Sequence, residues 1–197
     1  MQAHTYVRDA LKRAGHTPHI LITGLPGVGK TTLIRELAKH LAEHNPAGFY
    51  TEEVLDAQGT REGFRLVTLC GRRLVLSHIR HPGPYRVSRY GVDVAGFEQL
   101  LAELDLRHAR SRLIMIDEIG RMECLSRKFQ GEVTRLMDAP NVLVATVALK
   151  GEGFIRQVKN RPDCRLVTVT RENRDSLVND LLSEVQHSLR KGGAHGL

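Results

Sequence analysis

An α/β domain with a mainly parallel sheet and an antiparallel hairpin insertion is the fold class this 197-residue chain predicts. Three observations carry that expectation. Short apolar runs of strand length alternate with stretches of helical periodicity, the pattern of βαβ units whose helices cover a parallel sheet. One strand-to-helix junction, at residues 24–31, is rich in glycine. Two alternating runs, Phe49 to Leu55 and Gly63 to Leu69, flank the polar turn Asp56-Ala57-Gln58-Gly59 and read as a hairpin.

Taken in order, Tyr6, Val7, Ala10, Leu11 and Ala14 share one face of a short amphipathic helix that Gly15 stops. Residues 1–18 are therefore expected to be an N-terminal extension packed on the domain. Its basic residues resemble those of a transit peptide, but the stretch is short and lacks serine. Ile20-Leu21-Ile22 is the first strand, and helical spacing follows from Thr32 to His44 before Pro46 and Gly48 break it. Beyond the hairpin, Arg73 to Ile79 adds a third short strand. Two prolines and two glycines between His81 and Gly91 predict an irregular loop. Asp93 caps a helix through Leu104. A strand over Arg112 to Glu118 leads to a helix near Ser126 to Met137 and a strand over Val142 to Val147. A helix near Gly153 to Asn160, a strand over Arg165 to Thr170 and a last helix from Arg174 to Arg190, capped by Asn173, complete the pattern. With no internal repeat or linker, residues 19–190 form one domain and 191–197 a frayed tail.

The glycine-rich junction reads Gly24-Leu25-Pro26-Gly27-Val28-Gly29-Lys30-Thr31, followed by Thr32, a phosphate-binding loop of the form GxxxxGK[ST] set between strand and helix. Its glycines let successive backbone N–H groups turn inward around a polyphosphate. Lys30 reaches the β and γ phosphates, Thr31 offers a hydroxyl to Mg²⁺, and the helix aims its positive N-terminus at the same anion. The bland alternative is a glycine-rich turn with no ligand.

A phosphate cradle needs a partner for the metal. Arg112-Leu-Ile-Met-Ile-Asp-Glu118 is an apolar strand delivering two carboxylates at its C-terminal end, where parallel sheets bind ligands. Asp117 is expected to hold Mg²⁺ through water, because that ion keeps several waters and takes few carboxylates. Glu118 is placed to orient a water attacking the γ-phosphorus and to accept its proton. Alone, the pair could equally be a solvated strand end; beside Lys30 it reads as a site.

Composition narrows the partners. Hydrophobic residues at 41% and charged residues at 26% are ordinary for a globular domain, and no apolar run approaches a membrane span or a signal-peptide core. The cytoplasm is the compartment expected. Cys70, Cys124 and Cys164 are widely spaced and form no CxxC, so neither a disulfide framework nor a zinc site is indicated. Lys plus Arg at 29 against Asp plus Glu at 22 gives a formal +7, which suits polyanions in general. The basic residues are scattered without interleaved aromatics, so nucleic acid is not the favoured ligand.

Five stretches then point to a family: Gly24-Leu-Pro-Gly-Val-Gly-Lys-Thr-Thr-Leu33, Gly48-Phe-Tyr-Thr-Glu-Glu-Val54, Arg61-Glu-Gly-Phe64, Ile116-Asp-Glu-Ile-Gly-Arg-Met-Glu123 and Thr170-Arg-Glu-Asn-Arg174. In that order, over His19 to Leu189, the chain resembles the small P-loop nucleoside-triphosphatases known as the thermophilic or cancer-related nucleoside-triphosphatase family. The resemblance implies the three-layer P-loop NTPase fold, hydrolysis of NTPs to NDPs with loose base selectivity, Mg²⁺ as cofactor, nucleotide binding by Gly24 to Thr32, and metal and water held by Asp117 and Glu118. It also places a basic residue at Arg121. Either Arg121 or Arg161 is expected to stabilise charge on the transferring phosphoryl group, since arginine's planar fork suits phosphate oxygens. Phe64, Tyr50 and Tyr90 are candidates for stacking on the base, although aromatics in such domains are more often core. Two other classes stay open: a nucleotide or nucleoside kinase, with the arginines from Arg80 to Arg89 serving an acceptor, and an NTP-gated nucleic-acid-binding module.

Overall fold

The structure, a computed structural model, describes residues 19–106 and 111–191. The helix expected before residue 19 and the tail after residue 191 lie outside the described residues. Within them, the strands are β1 (His19–Thr23), β2 (Ala47–Leu55), β3 (Arg61–Thr68), β4 (Arg73–His78), β5 (Arg86–Val87), β6 (Tyr90–Val92), β7 (Leu113–Ile119), β8 (Val142–Val147) and β9 (Cys164–Thr168). The helices are α1 (Lys30–His40), α2 (Val94–Leu104), α3 (Arg127–Asp138), α4 (Phe154–Lys159) and α5 (Arg174–Lys191), with single 3₁₀ turns at Ala42–His44 and Glu123–Leu125.

All nine strands join one sheet in the order β5-β6-β4-β3-β2-β7-β8-β1-β9. From β2 to β9 every neighbour runs parallel; from β2 to β5 every neighbour runs antiparallel. The sheet is therefore mixed, and the insertion is larger than the expected hairpin. The stretch expected to be irregular from His81 to Gly91 contains β5 and enters β6, joined through Ser88, whose φ of 55° makes the reversal. Strands of two and three residues carry no periodicity to read, and the flanking prolines masked them.

The parallel half is apolar because both of its faces are covered. Leu21, Phe49, Ile114, Ile116, Leu143 and Ala145 pack on one side against α2, α3 and α4. Their neighbours Ile20, Ile22, Leu113, Met115 and Val144 point to the other side, against Leu33, Ile34 and Leu37 of α1 and Leu181 and Val185 of α5. The period of two along each strand thus feeds two cores at once. Phe49, Phe97 and Phe129 form a ring cluster on the first side, with centroids 5.3–6.3 Å apart.

Local signals hold the register. Gly48 has φ 131° and pairs with Met115, where a Cβ would collide with the Met115 carbonyl. Asp93 caps α2 as expected, accepting from Gly96 N at 2.9 Å, and Ser126 caps α3 through Phe129 N at 3.0 Å. Asn173 offers its carbonyl to Leu177 N as α5 begins, while its carboxamide pins the preceding loop through Thr170 N and Thr168 O. The first helix starts at Lys30 and not at Thr32, because Gly29 takes a left-handed φ of 108° at its cap. It ends at His40, and the remaining turn to His44 is 3₁₀.

Candidate active site

The loop from Gly24 to Gly29 crosses from the C-terminal end of β1 to the N-terminus of α1. Gly24 has no room for a side chain: a Cβ there would stand 2.6 Å from the Val169 carbonyl oxygen. Val28 buries its side chain in the α1 core, so only its backbone can face a ligand. Leu25, Pro26, Gly27 and Thr32 are exposed. Lys30 bends back over the loop, donating from Nζ to the carbonyls of Gly24 at 3.2 Å and Leu25 at 3.3 Å.

Asp117 ends the apolar run of β7 and is 1% exposed. Its Oδ2 accepts from the Thr31 hydroxyl at 2.7 Å, the Thr51 hydroxyl at 2.8 Å and Thr51 N at 3.2 Å; Oδ1 accepts from the Thr146 hydroxyl at 2.6 Å. A carboxylate this buried requires such compensation. The contact with Thr31 joins, across 86 residues, the two stretches expected to meet. Thr51 and Thr146 were not anticipated. Thr146 was the more legible of the two, a hydroxyl at the end of a strand otherwise apolar enough to be wholly buried.

Glu118, half-buried, lines a cleft of about 460 Å³ together with Lys30, Arg121, Phe64, Val87 and Met122. Burial pushes its carboxyl above the usual range; Lys30 counteracts this, Asp117 adds to it, and Lys159 counteracts it more weakly. Behind it stands Glu123, which sequence reasoning quoted but gave no role. A Cβ on Gly120 would sit 2.7 Å from Glu123 Oε2 and 2.9 Å from Glu118 Oε1, so one glycine separates the two carboxyl heads. Burial raises Glu123 to about 8, with backbone N–H groups opposing the shift and Glu118 and Asp117 reinforcing it. Burial thus favours the protonated form of Glu123 beside the more exposed Glu118.

Arg121, exposed, lies on the cleft. Arg161 does not. It forks onto Asp163 at 2.6 and 2.9 Å and reaches Asp138 at 2.8 Å, at the end of the sheet where β1 and β9 begin. A guanidinium already paired with two carboxylates at the far end of the strands cannot touch a phosphate in the loop, and the alternative role given to Arg161 is withdrawn. Of the aromatics, Phe64 lines the cleft. Tyr90 is buried, with its hydroxyl accepting from Arg61 and Arg89, and Tyr50 lies under Arg35.

Known proteins share this chain's sequence and overall shape. The model of a family described as NTPase matches residues 19–182. The chain belongs to that family. The nucleoside-triphosphatase THEP1 of Thermotoga sp. (strain RQ2) is 43% identical over 165 residues, covering 83% of this chain and 93% of the relative. The human cancer-related nucleoside-triphosphatase is 39% identical, covering 86% and 97%. Among solved NTPase structures, the crystal structure of THEP1 from Aquifex aeolicus superposes with a TM-score of 0.76 at 38% identity, over 85% of this chain and 98% of that one. The solution structure of the human protein gives 0.73 at 37%, over 87% and 98%. The mixed α/β sheet is thus the architecture of this NTPase family, and among the described residues no helix is long and apolar enough to cross a membrane.

Proposed function

We propose that the chain hydrolyses nucleoside triphosphates, ATP and GTP among them, to the diphosphate and phosphate on a three-layer P-loop NTPase fold, with Mg²⁺ as cofactor. One observation carries the reading: the Thr31 hydroxyl and the Asp117 carboxylate meet at 2.7 Å at the mouth of a glycine loop, with Glu118 next along the same strand. The relatives' names, nucleoside-triphosphatase, agree with it.

In this reading Gly24 to Thr32 cradle the phosphates and Lys30 leaves its loop carbonyls for the β and γ oxygens. The donor set suits magnesium, since Thr31 and Asp117 present hard oxygens a hydrogen bond apart. When bound, the ion offsets negative charge on the β and γ phosphates. Thr51 and Thr146 hold Asp117 in one rotamer so that it does not swing into the cleft. Glu118 orients water against the γ-phosphorus and takes its proton, while Arg121 offsets charge on the equatorial oxygens. Phe64, Val87 and Met122 give the cleft an apolar stretch of wall on which a base of any identity can pack, which fits loose base selectivity. Phosphate release from ATP, GTP, CTP and UTP with Mg²⁺, lost in EDTA and restored by excess Mg²⁺, is the expected result. Release that EDTA leaves untouched removes the metal from the reading, and no release from any NTP removes the activity.

A further inference from the structure

Next to the cleft, and sharing Arg121, Leu149 and Lys150 with it, lies a larger hollow of about 780 Å³ between the turn after β7 and the segment from Leu149 to Asn160. Four cationic side chains line it, Arg121, Lys150, Arg156 and Lys159, against one carboxylate, Glu152. Among the described residues one ion pair is made in its lining, Arg156 to Glu152 at 3.6 Å along one segment, and it joins two largely exposed groups and neutralises little. Lys159 is held by the Leu149 carbonyl at 2.8 Å, which fixes its ammonium at the wall shared with the cleft.

Cations gathered in a concavity repel one another and focus a positive potential, so the hollow favours an anion. Its size matters equally. A hydrolase must admit one water, whose share of liquid volume is about 30 Å³; this hollow has the size of a site for a whole organic molecule. Through Lys150 and Arg121 the hollow adjoins the cleft that Glu118 lines.

We propose that this basin binds the phosphate of a nucleoside monophosphate, which competes with water for the terminal phosphoryl group. The proposal rests on the NTP-binding reading above and extends it to a second substrate. A phosphate oxygen of the monophosphate forms the new bond to the γ-phosphorus as the bond from that phosphorus to the β–γ bridging oxygen breaks. The electron pair leaves with the nucleoside diphosphate. The attacking phosphate is already a dianion, so no proton is removed, and the products are two diphosphates. Arg121, Lys150, Arg156 and Lys159 offset the charge that brings the two phosphorylated molecules together.

The test uses γ-phosphate-labelled ATP with AMP, CMP, GMP or UMP added to the full chain. Label is expected in a nucleoside diphosphate in at least one arm, with a matching fall in free phosphate. Arg156 faces the basin alone, so Arg156→Glu should raise the monophosphate concentration for half-maximal transfer about tenfold. Phosphate release without acceptor should stay within about twofold of the unaltered chain. Labelled phosphate as the sole product at saturating monophosphate overturns the acceptor role and leaves the hydrolase reading standing. Equilibrium dialysis of labelled GMP gives a second readout: binding that Arg156→Glu does not weaken overturns the assignment to the basin. If no arm releases or transfers label, the NTP reading itself has failed.

Discussion

The two halves of the sheet are built by different physics. In the parallel half, β1, β7 and β8 are buried on both faces, and stability comes from apolar area under helices. The antiparallel half carries charged pairs on both faces: Arg61 pairs with Glu53 at 2.7 Å on one and Arg65 with Glu52 at 2.9 Å on the other, while Arg80 reaches Glu62 at 3.4 Å. The halves also divide the labour of the site. Each hydroxyl gripping Asp117 belongs to the parallel half or to β2 at its boundary, whereas the antiparallel half contributes cleft wall at Phe64 and Val87. Chemistry sits where the scaffold is dry and rigid, and shape is supplied by the half that is not.

The largest effect separating the halves is expected at Glu118. Glu118→Gln keeps size and removes the proton acceptor, so NTP affinity should stay within a few fold while kcat falls about 10²–10⁴-fold. Phosphate release alongside direct nucleotide binding checks it, and turnover equal to that of the unaltered chain would take Glu118 out of the chemistry.

Next in size is a pH effect at Glu123. Its carboxyl is raised in the folded chain from 4.5 to about 8. Below pH 4.5 both folded and unfolded chains hold the proton and folding carries no penalty. As pH climbs, the unfolded chain ionises first, so stability is lost progressively and the loss is complete above about pH 8. Glu123→Gln imitates the neutral acid and should remove this penalty, on the order of a few kcal/mol at pH 8 and almost nothing at pH 4. Denaturant melts at the two pH values test it; a variant that shifts both melts equally would show a packing effect unconnected with ionisation.

A smaller loss is expected at Thr146. Thr146→Val preserves shape but leaves Asp117 Oδ1 short of its buried donor at 2.6 Å, a cost of about 1–3 kcal/mol in unfolding free energy. Because Asp117 also loses its fixed rotamer, Mg²⁺ concentration dependence should shift upward. Undiminished stability would mean that water replaces the hydroxyl and that the dry-half description fails at this position.

Legibility in the sequence did not follow the same boundary, since the hairpin of β2 and β3 and the third strand β4 were as readable as the parallel strands. The parallel half was readable because burial on both faces leaves unbroken apolar runs and because the loop from Gly24 to Thr31 and the Asp117-Glu118 pair are local strings. Asp93 as a cap was likewise local. What escaped depends on distance in the chain: Thr51 and Thr146 matter only once β2 and β8 flank β7, and Glu123 only once the turn folds it behind Glu118. Arg161 was misplaced for the opposite reason, its motif suggesting phosphate while the fold put it beside Asp163 at the wrong end of the strands. In the antiparallel half, β5 and β6 are too short for alternation to show, and their pairing is decided by the sheet edge already formed by β4.

The smallest effect is the one that defines the wet half. Arg65 reaches Glu52 at 2.9 Å on the surface of β3, with its side chain 39% exposed. Held in water, such a pair gains little over its two hydrated ions and loses side-chain freedom, so Arg65→Ala should cost no more than about 1 kcal/mol and fade further in high salt. Phosphate release should be unchanged, since no atom of the pair reaches the cleft lining. A loss comparable to that at Thr146, persisting in salt, would mean that the antiparallel half depends on its ion pairs as strictly as the parallel half depends on its buried hydroxyls, and the contrast between the two would dissolve.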